Sequence, residues 1–254
     1  MHLQRWSGVG LALWFLAAGV AGALGGPNPA GRKEAQAVVS GFNDSLAQID
    51  RLLSAGETAK ATKQLKSLRR EMIDRFMGGR GVEAYLARMS ALRAIAAYQA
   101  GEPDEAIWHW HVALQLHPPI SQLSFFGHEE AGAFLVEHPP RSALDEDEQG
   151  QGEAAERKPV PADLLEPPKV HKRPRPEFPW ARLGTGATTP VVVRVIIGKD
   201  GSIHDPVIVE SGGEPTMVYV ALDSLRQWEF TPARLRGEPV DAYYALTVNF
   251  RSEW

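Results

Sequence analysis

The sequence has no cysteine among its 254 residues, and its charge is close to balance, with a formal net charge of −4 at pH 7. Without cysteine there is no disulfide framework, no thiolate zinc site, no catalytic thiol and no lipid anchor on cysteine. The balanced charge gives the whole chain no signature of nucleic-acid binding.

The patterns of common catalytic and metal sites are also missing. There is no nucleophile elbow, no framed pair of carboxylates and no glycine-rich phosphate loop before a helix. His109, His111 and His117 occur within WHWHVALQLHPP, but they do not share one helical face with a suitably spaced carboxylate. We therefore expect no enzyme, and no cofactor, metal or small-molecule substrate.

A short apolar segment near the N-terminus predicts export. Arg5 lies in the basic start, Val9–Val20 reads VGLALWFLAAGV, and the small residues AGA follow, ending at Ala23. This order is typical of a secretory signal peptide, here residues 1–23, cleaved after Ala23. The alternative is an uncleaved anchor, because Ser7–Gly26 is uncharged and about 20 residues are needed to span a bilayer.

Residues 33–138 predict an all-α domain. Apolar residues recur at steps of three and four from Ala35 to Leu53 and again from Ala61 to Phe76, as on one face of a helix. Two further helices are predicted at 82–99 and 104–116, followed by a capping helix at 121–137.

An internal echo occurs in this domain, because the turn Ala-Gly-Glu at 55–57 returns at 100–102. The second copy resembles a tetratricopeptide repeat, with Ala106, Trp110, Ala113 and Pro118 at that family's small, aromatic, small, proline spacing. The resemblance implies helix pairs that bind a protein partner. A plain four- or five-helix bundle is the alternative.

Residues 139–175 predict a disordered linker. Asp145–Glu156 holds six acidic residues without apolar periodicity, and prolines then alternate with basic residues up to Arg175. Such a segment buries too little apolar surface to offset the entropy cost of ordering it.

Residues 176–254 predict a small α+β domain. Two β-branched runs, 191–197 and 203–209, are joined by a hairpin turn at Asp200 and Gly201, and Pro206 predicts a bulge or an edge position in the second run. A helix follows Pro215, and the last strand alternates apolar and polar residues. The expected chain is multidomain, with an all-α domain before a three-stranded antiparallel sheet covered by one helix in the order β-β-α-β.

This pattern resembles the TonB C-terminal domain family over about residues 176–250. Pro176, Phe178 and Pro179 are similar to its proline-x-tyrosine-proline start, and WEFTPA at 228–233 is similar to its Trp-x-Phe-x-Pro-Ala segment. We expect five matched residues to be structural core: Asp200, Gly201, Trp228, Phe230 and Pro232.

The resemblance implies that the last strand takes up an extended segment of an outer-membrane receptor through main-chain hydrogen bonds. The implied partner-binding residues lie on that strand and at the start of the domain. They are Asp241, Ala242, Tyr243, Ala245, Thr247 and Asn249 on the strand, with Glu177, Phe178 and Pro179 at the start.

The N-terminal part departs from a TonB energy transducer. The family's membrane anchor carries a serine and a histidine that engage a proton-driven motor, whereas Val9–Leu24 contains no histidine. We therefore predict an exported, periplasmic TonB-like adaptor. Two alternatives stay open: an envelope scaffold whose helical repeats carry the binding, and an inner-membrane transducer anchored by Ser7–Gly26 with the motor as a partner.

Overall fold

The computed structural model describes residues 29–76, 81–125, 127–140, 165–178 and 188–251. The predicted signal peptide, the acidic part of the predicted linker and Pro179 lie outside the described residues. Among the residues that are described, no helix combines the length and the apolar character needed to cross a membrane.

Between residues 29 and 140, the described part of the N-terminal half forms five α-helices, as the predicted all-α domain requires. They are α1 Pro29–Ser54, α2 Thr58–Phe76, α3 Glu83–Gln99, α4 Pro103–Leu116 and α5 Glu129–Glu137, with a 3-10 helix at Pro118–Gln122 before α5. The apolar stripes on α1 and α2 are buried in the core, as their spacing predicts.

The sequence echo corresponds to two helical hairpins, α1–α2 and α3–α4. Their turns contain Gly56 and Gly101, with φ angles of 73° and 77°, a left-handed conformation that favours glycine. The small residues Ala106 and Ala113 and the aromatic Trp110 on α4 are all buried. The two equivalent turns account for the repeated Ala-Gly-Glu sequence, and no third repeat is needed to explain it.

The central sheet has the predicted β-β-α-β order. Its strands are β3 Thr188–Ile197, β4 Ile203–Ser211 and β8 Ala242–Arg251, arranged antiparallel in the order β4-β3-β8, and helix α6 spans Pro215–Leu225. Three short strands separate α6 from β8: β5 Glu229–Thr231, β6 Ala233–Leu235 and β7 Glu238–Val240.

Part of the predicted linker is ordered, which differs from the prediction for residues 139–175. The structure contains β1 Leu165–Glu166, paired with β6, and β2 Lys169–Lys172, paired with β5. These two pairings satisfy backbone N–H and C=O groups that β5 and β6, as short strands, would otherwise leave unpaired. Pro167 and Pro168 lie between β1 and β2, where no ladder N–H is needed. The outer domain boundaries stay a prediction.

The two halves share one hydrophobic core, which the sequence analysis did not predict. Helix α6 packs on the sheet and also contacts α2, α3 and α4. All ten residues from Thr216 to Leu225 are therefore buried, including the charged Asp223. The C-terminal domain thus docks on the helical half through α6, the one helix among its described residues.

Candidate functional site

The two edges of the central sheet differ in how they are covered. On the β4 side, the register shifts near Asp205, whose φ angle is 47°, and Pro206 lies in this bulge, which confirms the predicted irregularity. Helix α4 packs along β4, and the side-chain Oε1 of Gln115 accepts the Ile208 N–H at 3.1 Å. A bulge and a covering helix both block strand addition.

The opposite side of β8, which we call the β8 edge, pairs with no other strand among the described residues. Pro190 has no N–H, yet it pairs with Asn249 within an unbroken antiparallel register. This must be a non-hydrogen-bonded pair, in which the backbone groups point away from each other. Because the direction alternates along the strand, four residues present their N–H and C=O to the β8 edge: Tyr243, Ala245, Thr247 and Asn249.

Side chains on β8 alternate as the sequence predicts. The side chains of Leu246, Val248 and Phe250 are buried. The side chains of the four residues whose backbone is directed to the β8 edge are exposed, with Tyr243 at 50% of its full exposure. The buried side chains hold the strand in register, because a shift by one residue would expose all three. The strand is thereby fixed from one face, while its outer backbone is directed away from β3.

Two of the residues predicted to bind a partner, Asp241 and Ala242, do not present their backbone to the β8 edge. Ala242 pairs with Ile197 in the alternate register, so its backbone is directed toward β3. Asp241 precedes the strand, and its Oδ1 accepts the backbone N–H of Lys199 in the β3–β4 hairpin at 2.8 Å. The structure therefore gives Asp241 a positioning contact with the hairpin.

The predicted residues at the start of the domain lie beside the C-terminal end of β8. The ring of Phe178 is buried against that of Phe250, with 5.0 Å between centroids. The Glu177 carboxylate accepts from Arg69 Nη1 of α2 at 2.7 Å. Phe178 therefore anchors the chain internally, and Glu177 ties it to the helical half.

Sequence reasoning missed Arg173, because it assigned the basic stretch around it to a solvated linker. The Arg173 Nη2 donates to the backbone oxygen of Thr247 at 2.9 Å, and its guanidinium lies 4.5 Å from the centroid of the Trp228 ring. The first of these contacts is on the β8 edge. No local pattern signals them, since they depend on how residues 169–178 run past β8.

The hairpin turn and the segment after α6 are in close contact. Gly201 has a φ angle of 83°, and a Cβ atom there would lie 2.2 Å from the carbonyl oxygen of Phe230. Asp200 accepts from the N–H and the hydroxyl of Ser202, and these hydrogen bonds lower the pKa of the Asp200 carboxyl. Trp228 is buried beside Phe230, and these contacts seat the hairpin on the domain.

A buried ion cluster joins α6 to the helical half. The Asp223 carboxylate receives Arg69 of α2, with 2.7 Å between Nη2 and Oδ2, and also Arg93 of α3, which donates to the Tyr219 hydroxyl as well. Burial alone would raise the pKa of Asp223, but the two guanidinium groups hold it below its usual value. The cluster fixes the sheet relative to the helices, with β4 against α4 and β8 on the far side of β3.

Within the ranges that the structure describes, no group of three or more histidine and acidic side chains has an arrangement that could hold a metal ion.

Residues 174–252 match the model of the family described as Gram-negative bacterial TonB protein C-terminal. No curated protein and no solved structure matches the chain. The matched family consists of non-enzymatic interaction domains of envelope proteins, which bind proteins such as outer-membrane receptors. The match covers β3, β4, α6 and β8, under a third of the chain, and confirms the resemblance of this part of the sequence to a TonB C-terminal domain.

Proposed function

We propose that this chain is an exported adaptor whose TonB C-terminal domain takes up an extended segment of an outer-membrane protein at the β8 edge. The observation that carries the proposal is the outward direction of the backbone at Tyr243, Ala245, Thr247 and Asn249, with no strand paired there among the described residues. An unpaired strand edge is a template for a further strand.

The two sheet edges support this choice of surface. The β4 edge is bulged at Asp205 and covered by α4, so it offers no regular ladder. On β8, each outward-facing residue supplies one donor and one acceptor, and every main-chain hydrogen bond contributes about 0.5–1.5 kcal/mol net. Recognition through the backbone does not depend on particular side chains, which agrees with the mixture of small, aromatic and polar side chains along β8.

Docking of α6 on the helices supports an adaptor role. The Asp223 cluster and the shared core connect the receptor-binding sheet firmly to a second, helical surface. A segment bound at β8 would therefore be linked to whatever partner the helical half binds. We propose that the chain acts in the periplasm after cleavage near Ala23, which intact-mass measurement of the mature protein tests directly.

Two substitutions of Thr247 test strand addition. The Thr247 N–H faces the β8 edge, so Thr247→Pro removes a donor for the partner without removing a hydrogen bond to β3. Thr247→Ala keeps that donor. We expect Thr247→Pro to abolish binding of extended peptides from outer-membrane receptors, with Thr247→Ala binding as the unmodified chain does.

A third substitution controls for folding. The N–H of Val248 faces β3, so Val248→Pro breaks the ladder within the sheet and should unfold the domain, whereas Thr247→Pro should keep its circular dichroism. Equal losses of affinity for proline and alanine at 247 would reject strand addition. Absence of binding by the unmodified chain would favour the scaffold alternative, in which the helical half carries the interactions.

A further inference from the structure

The β8 edge is already contacted by the chain's own residues 169–178, which we call the strap. We propose that the strap is an autoinhibitory cover, and that Arg173 must leave Thr247 before a partner strand pairs with β8. This inference rests on the proposed function and adds a regulation to the same surface.

Arg173 occupies the position that a partner backbone needs. Its Nη2 donates to the Thr247 oxygen at 2.9 Å, and that carbonyl is one of those directed to the β8 edge. An added strand would lie about 4.8 Å from β8 and would donate its own N–H to this oxygen. A guanidinium group at hydrogen-bonding distance lies within that space, so the two cannot occupy it together.

The strap is attached on both sides of Arg173. Before it, β2 pairs with β5, and Lys172 Nζ lies 2.6 Å from Glu229 Oε1. After it, Phe178 is buried against Phe250, and Glu177 pairs with Arg69. These attachments keep Arg173 close to Thr247 at a high effective concentration, so a single hydrogen bond suffices to hold the cover.

The strap covers the edge without pairing with it as a strand. Residues 173–178 have no regular secondary structure, and Pro174 and Pro176 lack the N–H groups that a ladder with β8 would require. The contact with the Thr247 oxygen is made by a side chain, that of Arg173, which a partner strand with several main-chain hydrogen bonds can displace. This is the property that a reversible cover needs.

The Trp228 ring holds the Arg173 guanidinium next to β8. The guanidinium lies 4.5 Å from the centroid of the indole ring, a cation–π contact that orients it toward Thr247. Arg173 is itself exposed, although Trp228 is buried, and hydrogen bonds and cation–π contacts made by an exposed cation are weak. Removing them should strengthen partner binding by about three- to tenfold.

Binding of receptor-derived extended peptides to the full chain tests the cover. Arg173→Ala should tighten binding three- to tenfold, and so should Arg173→Met, which keeps an apolar stem over Trp228 but has no donor. Arg175→Ala removes the same charge two residues away and should leave the affinity unchanged, which separates a local cover from general electrostatics.

The outcomes distinguish the cover from the proposed function. If the unmodified chain binds and Thr247→Pro does not, but Arg173→Ala binds equally or more weakly, strand addition stands and the cover is overturned. Equal gains for Arg173→Ala and Arg175→Ala also overturn it. If no variant binds any peptide, both the cover and the proposed function are overturned.

Discussion

Replacing Asp223 with alanine tests what holds the two halves of the chain together. Asp223 lies on α6 with 7% of its surface exposed, and its two carboxylate oxygens receive guanidinium groups from α2 and α3. Arg69 and Arg93 have no second buried carboxylate within this cluster. The substitution therefore removes the one negative charge that two buried cations share.

The magnitude follows from the burial of the two arginines, whose side chains are 11% and 24% exposed. Removing one partner of a buried ion pair costs about 3–5 kcal/mol, because the remaining charge stays desolvated. The partial exposure of Arg93 and its hydrogen bond to Tyr219 reduce this penalty. We expect Asp223→Ala to lower the free energy of unfolding by about 3 kcal/mol, against a total of about 5–15 kcal/mol for a typical domain.

Urea denaturation of the full chain, followed by circular dichroism, measures this loss. Glu229→Ala is the matched control, because it breaks the Lys172–Glu229 pair, in which both side chains are 61% exposed, and should cost at most about 1 kcal/mol. A loss below about 1 kcal/mol for Asp223→Ala would refute the argument that this cluster holds α6 to the helices.

Three further predictions concern pH, the hairpin turn and the interface. Burial and the nearby Arg93 hold the pKa of His109 well below 6.5 in the folded chain. The unfolded chain therefore binds a proton that the folded chain does not, and the free energy of unfolding should fall by up to about 1.4 kcal/mol per pH unit below pH 6.5. His109→Gln should remove that slope in urea titrations between pH 5 and 7; an unchanged slope would contradict the assignment. Gly201→Ala should destabilise the chain by more than Gly213→Ala in thermal unfolding, because both glycines have a positive φ but only the Cβ at 201 would meet a backbone oxygen, whereas equal losses would show that the turn relaxes. Cleavage within the predicted linker at 143–164 should leave two fragments that co-elute in gel filtration because of the shared core, and separate elution would show that the interface is weak.

Local patterns were sufficient to predict the C-terminal fold. The alternation along β8 predicted which side chains are buried, since a strand has a side-chain period of two, and Asp200-Gly201 predicted the hairpin because few residues adopt its turn conformation. The bounds of α2, α3 and α4 were close to those predicted because apolar spacing and proline stops act over a few residues, whereas α5 begins at Glu129 and the capping helix was predicted from 121. The resemblance to the TonB C-terminal domain family implied a partner-binding strand at 241–249, and the register of β8 directs the backbone of four of its residues to the β8 edge, with Asp241 and Ala242 placed differently.

The features that assemble the site could not be read from any local pattern. Asp223 meets Arg69 and Arg93 across 154 and 130 residues, and Arg173 meets Thr247 across 74. Such pairs form only after helices and strands have packed, and a charged residue in a sequence does not reveal which distant charge it will face. Order in residues 165–172 arises likewise from pairing with the backbone of β6 and β5, which the proline-rich composition of this segment does not show. A sequence specifies these contacts through the whole fold, and therefore only the packed chain reveals which sheet edge is covered by a helix and which by one arginine.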